Sequence, residues 1–191
     1  HTKYSRNLFD GISHRRYAIV CEEVTEFYRE NINRQYASGA APGMTVEPEL
    51  PDSLVKTGRE FSDTAIISIS RFSGEGWDRS SVEFKGEFNP WPNEVSMPRT
   101  AGIIFPDGDF YLTREEKVMI TKVTAAFPKV VVVLNVGGII DVSWIKDNPS
   151  ISSALLAWQG GMEGGLAAAD ILFGSVNPSG KLPDTFAAHV N

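Results

Sequence analysis

The pattern in this chain that best suits chemistry is a glutamate between two glycines, Gly74-Glu75-Gly76, followed by Trp77. Because glycine carries no side-chain bulk, the backbone can turn sharply on both sides of Glu75 and push its carboxyl group outward. A carboxyl group beside an apolar surface such as the Trp77 ring has a raised pKa, which suits a general acid. A surface turn with a solvated glutamate fits the same spacing, so the motif alone leaves both interpretations open.

Four more residues near this motif are candidates for the site. Asp78 and Arg79 follow directly, and we assign them a structural role, in which Arg79 orients a carboxylate or closes the loop through a bidentate contact. Phe88 and Trp91 lie further along the chain and offer aromatic faces on which a sugar ring can stack. The same two rings are equally suited to anchoring a loop into the domain, and the sequence favours neither role.

Composition and missing motifs argue against several other functions. The formal net charge of −6 argues against a nucleic-acid partner, and no apolar run approaches the ~20 residues that a membrane-spanning helix needs. One cysteine and three histidines argue against a structural zinc site. No phosphate-binding glycine motif and no nucleophile elbow is present, which disfavours a nucleotide-binding domain and a serine hydrolase.

The elements that must position the candidate glutamate follow from hydrophobic periodicity. Apolar residues at helical spacing predict four helices, at residues 16–34, after Pro51, at 113–127 and at 163–173. Runs of β-forming residues predict strands at 65–70, 130–136 and 153–158. Cys21 falls in the first helix, as a small core residue.

Local signals refine the other three helices. Thr113 and Glu116 form a capping box at the start of the helix at 113–127, whose residues Met119, Ile120, Val123 and Phe127 should point inward. The apolar face of the helix after Pro51 is formed by Leu54, Val55 and Phe61. The last helix should pack closely through Gly164 and Gly165 and end at Gly174.

The alternation of helices and strands predicts an α/β fold, a three-layer α/β/α sandwich with a mostly parallel sheet. Five apolar residues in a row at 130–134 predict a central strand with helices on both faces. Residues 71–112 show no sustained period and predict a long loop that carries the Glu75 motif. Ligand sites in such sheets lie beyond the carboxyl ends of the strands, which is where this loop begins.

Several motifs in order resemble the α/β sandwich domain of glycoside hydrolase family 3, with bacterial β-glucosidases as the nearest relatives. The motifs, which lie within residues 44–188, are Arg71-Phe72-Ser73-Gly74-Glu75-Gly76, Gly108-Asp109-Phe110-Tyr111-Leu112, Trp158-Gln159-Gly160-Gly161-Met162-Glu163-Gly164-Gly165 and Asn177-Pro178-Ser179-Gly180-Lys181-Leu182-Pro183. Their order along the chain is specific, whereas no single motif would be.

The resemblance implies a retaining glycosidase whose active site is shared between two domains. A (β/α)8 barrel supplies the aspartate nucleophile, and the sandwich domain supplies the acid/base glutamate, which falls on Glu75. The 191 residues cannot also hold a barrel of about 250 residues, so we expect the isolated chain to be inactive. The alternative is a non-catalytic carbohydrate-binding or scaffold module with the same fold.

The resemblance also sets expectations for the organisation of the chain. We expect one sandwich domain over residues 1–191, a fragment that lacks the family's first strand because a helix begins almost at once. We expect a β-glucoside or related carbohydrate as substrate and the barrel as partner. The start of the chain shows no apolar stretch like a signal peptide, which predicts a cytoplasmic protein.

Overall fold

A computed structural model describes residues 4–41, 43–72, 80–82 and 102–186 of the chain. In these ranges no helix has the length and apolar character needed to cross a membrane. The elements, in chain order, are α1 (Leu8–Arg15), α2 (Glu22–Ala37), α3 (Asp52–Phe61), β1 (Thr64–Arg71), α4 (Arg114–Ala126), β2 (Lys129–Val136), α5 (Ser143–Lys146), β3 (Ile151–Leu156) and α6 (Gly164–Leu172).

The three strands form one parallel sheet in the order β1-β2-β3, so β2 is central, as predicted. Alternate β2 residues from Val130 to Val136 are buried on one face, where they join a core with Ile67 and Ile69 of β1. This core is completed by the four residues predicted to point inward, namely Met119, Ile120 and Val123 of α4 and its C-cap residue Phe127.

The opposite face of the sheet is only partly covered in the described residues. Ile66 is 39% exposed, and Ser68 and Ser70 are also exposed, whereas Val133 of β2 is buried. The expectation that helices cover both faces is therefore wrong at β1. Its near-continuous run of β-formers includes serines that face outward, so burial alternates along the strand as it does in a half-exposed sheet.

The N-terminal helix predicted at residues 16–34 is wrong in its boundaries. The chain forms α1 and α2 instead, separated by an extended segment, because Arg16 adopts a left-handed conformation with φ of 58° that ends α1. A capping box between Asn7 and Asp10 begins α1. Cys21 lies at the N-cap of α2 and is partly exposed, so its assignment as a core residue within a helix is also wrong.

The other elements lie close to their predicted positions. Helices α3, α4 and α6 are confirmed, although Phe61, assigned to the apolar face of α3, is 49% exposed. The third strand begins and ends two residues earlier than predicted. It cannot reach Trp158, which has a left-handed φ of 55°.

Helix α6 packs against the N-terminal segment through two glycines. A Cβ atom on Gly165 would lie 2.0 Å from the Asn7 carbonyl oxygen, and one on Gly11 would lie 2.1 Å from the Gly165 carbonyl oxygen. The Gly165 N–H donates a 3.0 Å hydrogen bond to the Arg6 carbonyl. The predicted close packing is confirmed at Gly165, whereas a Cβ atom on Gly164 would meet nothing within 4 Å, so its predicted role there is wrong.

Two matched glycine substitutions test this packing. We expect Gly165→Ala to lower the free energy of unfolding by about 1–3 kcal/mol, since the new methyl group would overlap backbone atoms. We expect Gly164→Ala, one residue away in open space, to leave stability unchanged or raise it by about 0.4–1 kcal/mol. Urea denaturation of both variants measures the difference, and equal midpoints would show that α1 and α6 are not in close contact.

Candidate active-site loop and its anchors

The predicted site residues lie outside the part of the chain that the structure describes. Glu75, Trp77, Asp78 and Arg79 fall in residues 73–79, and Phe88 and Trp91 fall in residues 83–101. The structure does describe both ends of the segment that carries Glu75. Arg71, the last residue of β1, lies two residues before residue 73, and Ser80 comes directly after residue 79.

The Arg71 guanidinium at the first end is buried and uses all five of its N–H donors. Only 4% of Arg71 is exposed. Three of the acceptors are backbone carbonyls: Nε donates to Asp109 at 3.0 Å, Nη1 to Ser70 at 2.9 Å and Nη2 to Tyr111 at 3.0 Å. The other two are the carboxylate oxygens of Glu116, where Oε1 accepts from Nη1 and Oε2 from Nη2, each at 2.7 Å. Five donors matched by five acceptors leave no unsatisfied N–H group in the interior.

The carboxylate of Glu116 links this arginine to the start of α4. Glu116 Oε2 accepts the Thr113 N–H at 2.8 Å, and Thr113 Oγ1 accepts the Glu116 N–H at 3.1 Å, which confirms the predicted capping box. The Phe105 ring lies 4.8 Å from the guanidinium carbon and covers it in a cation–π contact. One side chain therefore joins the end of β1, the 105–113 segment and α4.

The second end of the loop is held by Asp109. The Ser80 N–H donates to Asp109 Oδ1 at 2.7 Å, and the Ser80 carbonyl accepts the Phe110 N–H at 2.9 Å. Asp109 is fully buried, so its carboxylate makes this contact away from water. Arg71 and Ser80, which flank segment 73–79, thus both contact one turn, residues 108–111, which we call the anchor turn.

The loop that follows β2 joins the same region. The Gly137 N–H donates to the Arg71 carbonyl at 3.3 Å, and the Asp141 N–H donates to the Phe110 carbonyl at 2.9 Å. The carboxyl ends of β1 and β2 therefore converge on the anchor turn, at the sheet edge where ligands of parallel α/β sheets bind.

A partly buried glutamate with an unusual pKa lies near this network. Burial raises the pKa of Glu47 to about 7, and the negative charge of Glu116 raises this pKa further. The Tyr28 hydroxyl donates to Glu47 Oε1 at 2.7 Å, and this hydrogen bond lowers the pKa in part. Burial and the Glu47 carboxylate together raise the pKa of the Tyr28 hydroxyl. Among the described residues, no group of three or more His, Cys, Asp or Glu side chains is arranged to hold a metal ion.

Sequence reasoning missed the residues that hold the loop. Arg71 ends a strand of apolar and small residues, and a charge at that position is the one signal that a buried pair would leave in the sequence. Glu116 was recognised only as a helix cap, and Asp109 only as part of a family motif. Their partners across the network lie 29 to 45 residues away in the chain, beyond the reach of any local pattern.

Comparison with known proteins decides the family. The sequence model of the glycosyl hydrolase family 3 C-terminal domain matches residues 2–191. This chain belongs to that family. The match extends to the α1 and α2 region, beyond the residues 44–188 over which the resemblance was recognised.

The relatives of this family 3 domain include β-glucosidases. The chain is 49% identical to β-glucosidase A of Butyrivibrio fibrisolvens over 98% of its own length and 22% of that protein, and 40% identical to a β-glucosidase of Ruminococcus albus over 89% and 16%. It therefore spans about a fifth of the length of these curated relatives.

Solved structures confirm the predicted fold class, an α/β sandwich. A β-glucosidase from Paenibacillus barengoltzii superposes with a TM-score of 0.77 at 32% identity, covering 98% of this chain and 19% of that one. β-Glucosidase 3B of Thermotoga neapolitana, solved in complex with glycerol, gives 0.76 at 31% identity, covering 98% and 24%.

The buried ion pair predicts a large cost for removing one partner. Glu116→Gln leaves the Arg71 charge buried without its counter-ion, and we expect it to lower the free energy of unfolding by about 3–5 kcal/mol. Asp63→Asn removes the partner of Arg59 in an exposed ion pair and should cost only about 0–1 kcal/mol. Chemical denaturation measures both, and similar small losses would mean that solvent reaches the Arg71–Glu116 pair.

Glu47 predicts a pH dependence of stability with a definite sign. Because its pKa is raised on folding, its contribution is fully present below about pH 4.5 and is lost as the pH rises through about 7. Glu47→Gln keeps an acceptor for Tyr28 and cannot ionise. We therefore expect its unfolding free energy to gain about 3 kcal/mol relative to the wild type between pH 4 and pH 8. The exposed neighbour Glu49→Gln is the control, and a constant difference for Glu47→Gln across that range would refute the assignment.

Proposed function

We propose that this domain supplies Glu75 as the general acid/base of a retaining β-glucosidase-type glycoside hydrolase. Its active site would be shared with a (β/α)8 barrel outside this chain. Membership of the family and the names of its relatives support the reaction class. In the sequence, Glu75 stands between two glycines four residues after β1 ends, and ligand sites of parallel α/β sheets occur beyond the carboxyl ends of the strands.

The observation that carries the choice of Glu75 is the anchoring of its loop. The buried Arg71 precedes the segment, Ser80 follows it and is held by the buried Asp109, and both flanking residues contact the anchor turn. A general acid must lie within hydrogen-bond reach of the atom that it protonates, so the loop that carries it needs fixed ends. A purely structural surface turn would not need two buried charged residues at its ends.

The proposed chemistry has two steps. In the first, a carboxylate of the barrel attacks the anomeric carbon while Glu75, as the carboxylic acid, gives its proton to the departing oxygen. In the second, ionised Glu75 takes a proton from water, and that water attacks the anomeric carbon and releases the barrel carboxylate. The two carboxyl groups of such a pair lie about 5–5.5 Å apart, and neither step needs a metal or an organic cofactor.

The remaining site residues take supporting roles in this proposal. Trp77, Phe88 and Trp91 offer apolar faces for the sugar or its leaving group, and Asp78 and Arg79 stabilise the loop that carries Glu75. The domain holds only one of the two carboxyl groups. The isolated chain is therefore expected to release no glucose from an aryl glucoside.

Replacing Glu75 in the enzyme that joins this domain to its barrel tests the assignment. We expect Glu75→Gln to slow hydrolysis of an alkyl glucoside by roughly 10²–10⁴-fold, because that leaving group departs only with a proton. With an activated aryl glucoside, the first step should be slowed less, because its leaving group departs without a proton. Added azide should partly restore turnover on it by replacing the base-activated water.

Two nearby glutamates serve as comparisons in the same experiment. Glu83→Gln and Glu87→Gln change the same chemical group in the segment that follows Ser80. We expect both to keep their activity on the alkyl glucoside. Full activity in Glu75→Gln, with a loss in either comparison variant, would move the acid/base role to that residue.

A further inference from the structure

We propose that Asp109 is a positioning residue for the acid/base loop, an inference that rests on the role proposed for Glu75. Asp109 lies 34 positions after Glu75 in the sequence and acts through the loop backbone. Its main chain contacts Arg71, which precedes segment 73–79, and its side chain contacts Ser80, which follows that segment.

The carboxylate of Asp109 contacts Ser80 in the interior of the domain. It is fully buried, and Oδ1 accepts the Ser80 N–H at 2.7 Å, the short distance typical of a charge-assisted hydrogen bond. A buried carboxylate is costly unless hydrogen bonds stabilise it, so the fold gains from keeping Ser80 in place. The Asp109 carbonyl meanwhile accepts Arg71 Nε at 3.0 Å, which ties the same residue to the end of β1.

The neighbours of Asp109 leave Ser80 little freedom to move. The Phe110 N–H donates to the Ser80 carbonyl at 2.9 Å, so Ser80 is held through both of its backbone polar groups. Gly108, with φ of +93°, lies so close that a Cβ atom there would be 2.2 Å from the Ser80 oxygen. The Asp141 N–H donates to the Phe110 carbonyl at 2.9 Å and fixes the turn itself to the loop after β2.

This arrangement matters for catalysis because the eight chain steps from Phe72 to Ser80 carry the proposed acid. A displacement of about 1 Å at a catalytic group can cost on the order of 10²-fold in rate. Releasing Ser80 frees one end of the loop and should impair protonation of the leaving group. Steps that need no proton from Glu75 should be spared.

The test compares three variants in the enzyme that joins this domain to its barrel. Asp109→Ala removes the acceptor for Ser80, Asp109→Asn keeps a neutral acceptor of the same shape, and Asp107→Ala changes an exposed residue of the same segment. For Asp109→Ala we expect kcat/KM on an alkyl glucoside to fall roughly 10- to 100-fold, and less on an activated aryl glucoside. The kcat/KM of Asp109→Asn on the alkyl glucoside should lie between those of Asp109→Ala and the wild type, and that of Asp107→Ala should equal the wild-type value.

Azide separates positioning from a merely structural role. If Asp109 acts through Glu75, azide should raise the aryl glucoside turnover of Asp109→Ala as it does that of Glu75→Gln. A variant that is simply less folded loses activity on both substrates by the same factor, and azide does not raise its turnover. If Asp109→Ala does not fold, the alkyl-to-aryl rate ratio of Asp109→Asn decides, and a ratio equal to that of the wild type overturns the proposal.

The outcome for Glu75 distinguishes the two proposals. Suppose that Glu75→Gln is impaired and is rescued by azide, but that Asp109→Ala loses activity equally on both substrates. This result overturns the positioning role of Asp109 and leaves the proposed function standing. A Glu75→Gln variant with full activity on the alkyl glucoside overturns both.

Discussion

The buried guanidinium of Arg71 is the interaction on which the loop end of this sheet depends. An arginine cannot lose its charge, so burying it requires that every N–H group find an acceptor and that an anion lie nearby. Here the five acceptors come from Ser70, Asp109, Tyr111 and Glu116, which belong to three separate segments of the chain. Those segments must come together in one arrangement before the side chain can leave water.

That requirement shapes the neighbouring elements. Glu116 reaches Arg71 from the first turn of α4 and also bonds to the N-cap residue Thr113, so the helix cap and the ion pair stabilise each other. The anchor turn must present two carbonyl groups to the guanidinium, which places the Asp109 carboxylate beside Ser80. The loop proposed to carry the acid/base glutamate therefore begins and ends on a surface that the ion pair assembles.

Local patterns in the sequence predicted most of the elements. The run at 130–134, the Thr113–Glu116 capping box and the glycine after α6 placed β2, α4 and α6 correctly, because each depends on neighbours within a few residues. The break at Arg16 was missed because a non-glycine residue there adopts a left-handed conformation. The roles of Arg71 and Asp109 were missed because their partners are distant in the chain. The Glu75 motif was found from its glycines, but its anchors are tertiary contacts that no spacing encodes.

Hydrogen exchange at two backbone amides tests most directly whether the ion pair holds the loop. The Ser80 and Phe110 N–H groups bond across the anchor turn, whereas the Gly165 N–H bonds to Arg6 in the α1–α6 contact. In Glu116→Gln, we predict that exchange accelerates at Ser80 and Phe110 more than at Gly165, because the turn loses its support before the rest of the domain opens. Equal acceleration at all three amides, or none at Ser80, would contradict the account.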